Sequence, residues 1–399
     1  MQNLFHSIDT YLTQYQDYWR FEPFFASKLP HLPWLQHNPS LCEWLSQLTP
    51  QQVEYYKQNG DALTQACAPF FPELIHFLEQ LRLPQVSLSG LQLERGIDTG
   101  VPGRKLQQIL AMGESALQLK TGTEWLEWCS GKGFLGRILA SQSQQKVTSF
   151  EFQQALCESG QAEAIKQKLP MQFIQGDAFA EESIAVFNRQ QHAVALHACG
   201  DLHVSLIDKA VKCQLPAISL SPCCYHLIQS ESYQALSQPA KQSALRLSKS
   251  ELRIPLQELV TGGERVKRHR LEEMSYRLGF DILLQEKLAL SEYVPIPSIK
   301  KSQLSEGFES FCHWAATEKD LVLPAFDSEE YLAKGELRFW RMEKLSLVQQ
   351  LFKRGLELWL VLDKAIYLQQ HGYQVTLREF CGRDVTPRNI LLQANRQAD

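Results

Sequence analysis

The chain has 399 residues, enough for two domains or for one large domain carrying insertions. Hydrophobic residues make up 44% and charged residues 21%, which excludes a disordered or fibrous chain. The formal net charge of -4 excludes a global basic field, so any nucleic-acid contact needs a local patch.

The first residues, MQNLFHSIDTYLTQYQDYW, lack the basic start and apolar run of a signal peptide. No stretch approaches the length needed to span a bilayer, so a cytoplasmic protein with no membrane contact is expected. Its ten cysteines are then expected to be mostly reduced. Apart from the adjacent Cys223 and Cys224 they are scattered, and no CxxC pair argues for a zinc ribbon.

Residues 1–95 read as a helical region. Leu4, Ile8, Tyr11, Leu12, Tyr15 and Trp19 recur at helical spacing. Breaks near Pro23, Pro30 and Pro33 follow, then a helix capped by Thr49 and ending at Gly60, and another over PELIHFLEQLRL. From about residue 96 the texture changes. A Gly/Pro loop and an amphipathic helix, GIDTGVPGRKLQQILAM, lead into five short apolar segments separated by helical stretches. These are 125–129, 146–152, 171–176, 192–198 and 216–221, and the alternation predicts a parallel sheet covered on both faces. Residues 228–330 are polar and break the pattern, which marks an insertion. A long helix is predicted over 342–372, stopped by Gly372, and then two strands around a turn at Gly382–Asp384. The domain is therefore expected to run over 96–399 and to close with an antiparallel hairpin.

The most specific motif is Glu127-Trp128-Cys129-Ser130-Gly131-Lys132-Gly133-Phe134-Leu135-Gly136, between a strand and a helix. Its glycines let backbone approach a ligand, and the helix start offers unpaired N–H groups. Gly131-x-Gly133-x-x-Gly136 also fits a dinucleotide fingerprint, with Glu151 at the end of the next strand, so an NAD-dependent oxidoreductase competes as a reading. Glu127 favours S-adenosylmethionine (SAM): a carboxylate two residues before Cys129 suits the methionyl ammonium and would repel a pyrophosphate. The third strand ends in Gly176-Asp177-Ala178-Phe179, where an acid can accept from an adenine amino group beside an apolar neighbour. Read singly, Glu151 is a solvated strand end, Asp177 a turn or cap residue, and Glu127 the partner of a buried cation. Together they sit where ligands bind, beyond the carboxyl ends of the strands. The expected cofactor set is Glu127, Cys129, Ser130, Gly131, Gly133, Glu151, Asp177, Ala178 and His197.

On the acceptor side, the fourth strand ends in His197-Ala198-Cys199-Gly200-Asp201 and the fifth in Ser221-Pro222-Cys223-Cys224-Tyr225-His226. His197, Asp201, Cys223, Cys224 and His226 are the candidate catalytic residues. The histidines or Asp201 suit a base, and a cysteine suits attack on a pyrimidine ring. A thiophilic metal is a third option, but the irregular spacing assigns none. The bland reading makes these cysteines small buried fillers. Arg104, Lys105, Arg265, Lys267, Arg268 and Arg270, with Lys300-Lys301 and Arg388-Asn389, offer phosphate contacts or simply a solvated face.

With Thr386-Pro387-Arg388-Asn389 added, this set resembles a methyltransferase-domain family. The family includes the glutathione S-transferase C-terminal domain-containing protein and relatives of the ribosomal RNA adenine dimethylase domain-containing type. The match runs from about Arg104 to the end, interrupted by the insertion. The HxCG and paired-cysteine elements also look like those of acceptor-stem tRNA 2′-O-methyltransferases. The chain departs from those enzymes at Tyr225, where they have His, and in lacking their N-terminal zinc-finger cysteines. The resemblance implies a class I SAM-methyltransferase fold, a Rossmann-like doubly wound sheet, and makes RNA an expected acceptor. The same fold would equally serve a small-molecule or protein methyltransferase, or a non-catalytic SAM-fold binding module.

Overall fold

The computed structural model describes residues 1–257 and 263–396; the side chains of Arg104 and Lys301 lie outside what it describes. Two compact units form, and neither is continuous in sequence. The first gathers Met1–Gln14, Phe77–Leu256 and Lys353–Asp399; the second gathers Tyr15–His76 and Gln257–Phe352. The helical N-terminal residues, expected as one region over 1–95, are thus divided between the units. The insertion, expected over 228–330, is divided as well: residues 228–256 fall in the first unit and 257–330 in the second.

The physical reason lies in the first helix, Gln2–Gln14, which buries Phe5, Ile8 and Leu12. Phe5 meets the ring of Trp359 at 5.3 Å. Asp9 Oδ1 accepts hydrogen bonds from Trp359 Nε1 at 2.7 Å and Ser243 Oγ at 2.5 Å. These partners are hundreds of residues away, beyond the reach of periodicity.

The first unit is built on seven strands: β1 (Glu124–Trp128), β2 (Val147–Glu151), β3 (Met171–Gln175), β4 (Gln191–Ala195), β5 (Ala217–Leu220), β6 (Tyr373–Glu379) and β7 (Ile390–Arg396). Their order is β3-β2-β1-β4-β5-β7-β6. The first five pair in parallel, and β7 runs antiparallel between β5 and β6. Every residue of β2, β4 and β5 is buried, as expected where helices cover both faces. Even His192 in β4 is fully buried. Its Nε2 lies 2.9 Å from Ser219 Oγ, and burial pulls its pKa down to about 3, so it stays neutral. Helices Phe134–Ser143, Gln154–Lys166 and Asp201–Lys212 are the crossovers. Ile138, Leu139 and Ala140 join Trp125, Val147, Met171 and Met112 in one apolar core.

The long helix is longer than expected. It runs over Ser328–Gln370, 43 residues, because no proline or capping break interrupts residues 328–341. In the second unit it crosses the helix Glu264–Leu288 almost backbone to backbone. A Cβ at Gly335 would strike the Ser275 carbonyl oxygen, and one at Gly279 would lie 2.6 Å from the Tyr331 carbonyl oxygen. Phe280, Phe308, Phe311 and Tyr276 pack around this crossing. Buried Glu343 is held there by Lys57 and Arg270, each at 2.6 Å. No helix among the described residues is long and apolar enough to cross a membrane.

Candidate functional site

β1 delivers Glu127 and Trp128 into the interior and then turns sharply. Cys129, Gly131 and Gly133 all take positive φ, at 55°, 58° and 70°. The turn closes with Gly133 N–H donating to the Ser130 carbonyl at 2.9 Å, and the helix Phe134–Ser143 begins at once. Gly131 faces open space: a Cβ built there meets nothing within 4 Å. Gly133 is different, since a Cβ there would strike the Phe173 ring. Gly136 serves the acid beneath the loop, because its Cβ would lie 2.5 Å from Glu127 Oε2.

Glu127 is accordingly turned under the loop. It is 4% exposed and accepts from Ser149 Oγ at 2.8 Å. Burial raises its pKa to about 7. The Ser149 hydroxyl, the backbone N–H groups of Gly136 and Leu135 and the charge of Arg137 pull the other way. It orients the loop and the helix start from below.

Glu151 closes the other side. Its Oε2 accepts from Gly131 N–H at 2.9 Å and its Oε1 from Gln153 N–H at 3.0 Å. Each oxygen thus has one backbone donor and keeps a lone pair for a further donor. Asp177 ends β3 exposed, with Oδ1 accepting from Phe179 N–H at 2.9 Å. Ala178 is buried, and its carbonyl accepts from Ser205 Oγ and Lys209 Nζ, while the Phe179 ring is 44% exposed. β1, β2 and β3 are neighbours, so the expected cofactor residues Glu127, Cys129, Ser130, Gly131, Gly133, Glu151, Asp177 and Ala178 share the carboxyl edge of three adjacent strands.

The ends of β4 and β5 join this edge beside β1. His197 remains exposed, and desolvation followed by the charges of Lys105 and Arg388 lowers its pKa. Cys199 and Cys223 bridge the two strand ends, with Gly200 N–H donating to the Cys223 carbonyl at 3.1 Å and Sγ to Sγ at 3.6 Å. Cys224 has φ 48°, and its carbonyl accepts from Leu227 N–H at 2.9 Å in a tight turn. The Leu227 carbonyl in turn accepts from Asp201 N–H at 3.0 Å, and it lies so close to Gly200 that a Cβ there would collide with it. The Cys223 thiol donates to Cys224 and lowers its pKa to about 5, helped by Cys199, Arg388 and His226 against burial. Cys223 is raised correspondingly. Cys129 is pushed up to about 12, first by burial and then by Glu151 and Cys199.

Two of the candidate catalytic residues have settings that the motifs did not show. Asp201 opens the helix Asp201–Lys212, and its Oδ2 accepts from Gln229 N–H at 2.8 Å. It lines a cavity of about 300 Å³ with Phe179, Ser205, Gln229 and Tyr367. The acid therefore braces the loop after β5. His226 is half-buried, with Nδ1 lacking a hydrogen-bond partner, and desolvation lowers its pKa.

A buried polar network under the same loop went unread in the sequence. Asp363 accepts from Tyr233 Oη at 2.6 Å and from the N–H groups of Leu236 and Ser237. Lys364, fully buried, donates to Tyr233 Oη at 3.0 Å, and desolvation lowers its pKa to about 8. Nothing local in residues 363–364 signals this, because the partners lie about 130 residues upstream.

Of the basic residues, Lys105 is exposed and acts on His197; the side chain of Arg104 lies outside the described residues. Arg265 and Arg268 are exposed in the second unit. Lys267 pairs with Glu264 at 3.0 Å, and Arg270 is committed to Glu343.

This strand order, with its glycine bend after β1 and acids at the ends of β1, β2 and β3, is that of a class I SAM-dependent methyltransferase fold. A family model described as a methyltransferase domain matches residues 104–231, about a third of the chain. The chain thus carries a methyltransferase domain, and the cofactor of that class is S-adenosylmethionine. The site fits that group: Gly131 opens on space a Cβ would fill, and the buried Ser130 Oγ beside it has no protein partner.

Solved structures resemble the chain locally. A tRNA (uracil-54, C5)-methyltransferase from Pyrococcus abyssi, in complex with S-adenosyl-L-homocysteine, is 17% identical. It covers 29% of this chain and 28% of its own, with a TM-score of 0.24. TrmN from Thermus thermophilus is 16% identical over 30% and 41%, TM-score 0.25. A precorrin-6y C5,15-methyltransferase from Geobacter metallireducens is 12% identical over 33% and 66%, TM-score 0.25. The chain spans less than two thirds of each. Among curated proteins none matches it in sequence.

Proposed function

We propose that this protein transfers the methyl group of S-adenosylmethionine to RNA brought over the ends of β1, β4 and β5. The observation that carries the methyl-transfer reading is Glu151. Its carboxylate is fixed by the backbone N–H groups of Gly131 in the glycine loop and of Gln153, with lone pairs left for two ribose hydroxyls beside an open Gly131. Asp177, with one oxygen engaged by Phe179 N–H, has the other for an adenine amino group. Bound there, the cofactor supplies an electrophilic methyl carbon on a sulfonium.

The chain's part is to hold the acceptor in line and to manage its proton. His197 and His226, both with lowered pKa, are neutral near pH 7 and suited to accept a proton. Asp201 acts through the loop it braces. What supports RNA is the positive pair Lys105 and Arg388 around His197, together with the motif resemblance to the ribosomal RNA adenine dimethylase domain-containing type and to tRNA 2′-O-methyltransferases. The cytoplasm is the expected setting for such an acceptor.

The test incubates the protein with labelled SAM and total cellular RNA, protein and metabolite fractions. Label in the RNA supports the proposal. Label only in protein or metabolites sinks RNA but keeps methyl transfer. SAM binding without any labelling points to a binding module, and binding of NADH but not SAM to an oxidoreductase.

A further inference from the structure

We infer that Cys199, Cys223 and Cys224 form a binding site for a thiophilic divalent ion, zinc, through three thiolates at the joined ends of β4 and β5. The inference does not depend on methyl transfer. Their three Sγ atoms all lie within 4.8 Å of one another. Cys199 and Cys223 are 3.6 Å apart. A tetrahedral ion with sulfur ligands at about 2.3 Å separates those sulfurs by about 3.8 Å, so the thiols already stand at nearly the spacing of a coordination edge. A disulfide would require about 2.05 Å.

Backbone geometry supplies an independent reason. Cys224 is one of the few residues other than glycine with positive φ, at 48°. Such a conformation costs energy and persists only where the surroundings impose it. Here a parallel bridge holds Cys199 against Cys223, the Gly200 N–H fixes the Cys223 carbonyl, and the Cys224–Leu227 turn folds back onto Gly200. The outcome of this bracing is that a third sulfur, adjacent in sequence to the second, reaches the same point. Arg388, which acts electrostatically on Cys224, would offset the net negative charge of three thiolates on one divalent ion.

Among the described residues no fourth Cys, His, Asp or Glu atom joins the three within the same distance. Three protein ligands with an open position is the pattern of a reactive zinc site, whose fourth place takes water or an incoming donor. Binding converts three thiols to thiolates and releases up to three protons to solvent. No electron is transferred, and affinity falls in acid.

The experiment uses the full chain, purified reduced and anaerobically. One zinc per chain should be retained. Cobalt loaded in its place should show sulfur-to-metal charge transfer and the intense visible bands of a tetrahedral site. Cys199→Ser, Cys223→Ser and Cys224→Ser should each weaken zinc binding by about 100-fold or more, while Cys213→Ser leaves it unchanged. Because a variant can fail to fold, X-ray absorption on the unaltered protein counts the ligands directly. Three sulfurs at about 2.3 Å support the site. Fewer than three, no retained metal, or equal loss in Cys213→Ser overturns it.

Discussion

At the scale of the residue, the two buried acids Glu127 and Glu343 predict opposite pH responses. Burial raises Glu127 to about 7, so its folded pKa lies above the unfolded one. The protonated form is favoured by folding, and that contribution is lost as pH climbs from about 4.5 through about 7. Glu127→Gln should flatten the slope of unfolding free energy in that window, read by urea titration at a series of pH values. An unchanged slope would show that the carboxylate is not desolvated as described. Glu343 is the reverse case. Burial opposes ionisation, but Arg270 and Lys57 overcome it and hold the pKa below the ordinary value. Its contribution is complete above the unfolded pKa of about 4.5 and disappears as pH falls through the lower folded value. Removing one member of such a buried pair costs about 3–5 kcal/mol, so Glu343→Ala should lower stability by that order at neutral pH. Glu151→Ala should weaken SAM binding by about 10-fold to 100-fold, the worth of charge-assisted hydrogen bonds of about 1.5–3 kcal/mol. Isothermal calorimetry measures this, and an affinity equal to the parent's would remove Glu151 from the ribose site.

At the scale of the element, the strands followed from short apolar runs and glycine bends, because those signals are local. The run 192–198 shows the limit: pairing in β4 stops at Ala195, since Cys199 then turns to bridge Cys223. The acids at strand ends were legible for the same reason, each lying one or two residues from its bend. What Asp201 holds was not legible, because its partner Gln229 lies 28 residues on, across β5. The long helix was placed but started fourteen residues late. Its crossing with Glu264–Leu288 predicts the cost of one methyl group. Gly335→Ala puts a carbon against a backbone oxygen that no rotamer can move aside, so a loss of about 1–3 kcal/mol is expected. A melting temperature equal to the parent's would argue against this close approach.

At the scale of the whole molecule, the division into units was the least legible feature. Residues 1–14 read like the helical stretch that follows them, yet they belong with the sheet. Deleting them should uncover Trp359 and the partners of Asp9 and lower the stability of the sheet unit, with reduced melting temperature as the readout. Saturating SAM should raise the melting temperature of the intact chain, by an amount equivalent to about 2.7 kcal/mol at one hundred times the dissociation constant. The same addition should give Glu151→Ala only about 0.4–1.4 kcal/mol of that stabilisation, as its 10-fold to 100-fold weaker binding requires.

The position of β7 has a consequence for how the chain is made. It is the seventh strand to be synthesised, yet it is inserted between β5 and β6. Until residues 390–396 leave the ribosome, β5 offers a bare row of backbone donors and acceptors to whatever passes. The second unit likewise waits for Phe352 before its two pieces can meet. Neither unit can close until most of these residues have emerged, so the nascent chain is exposed to mispairing for much of its translation.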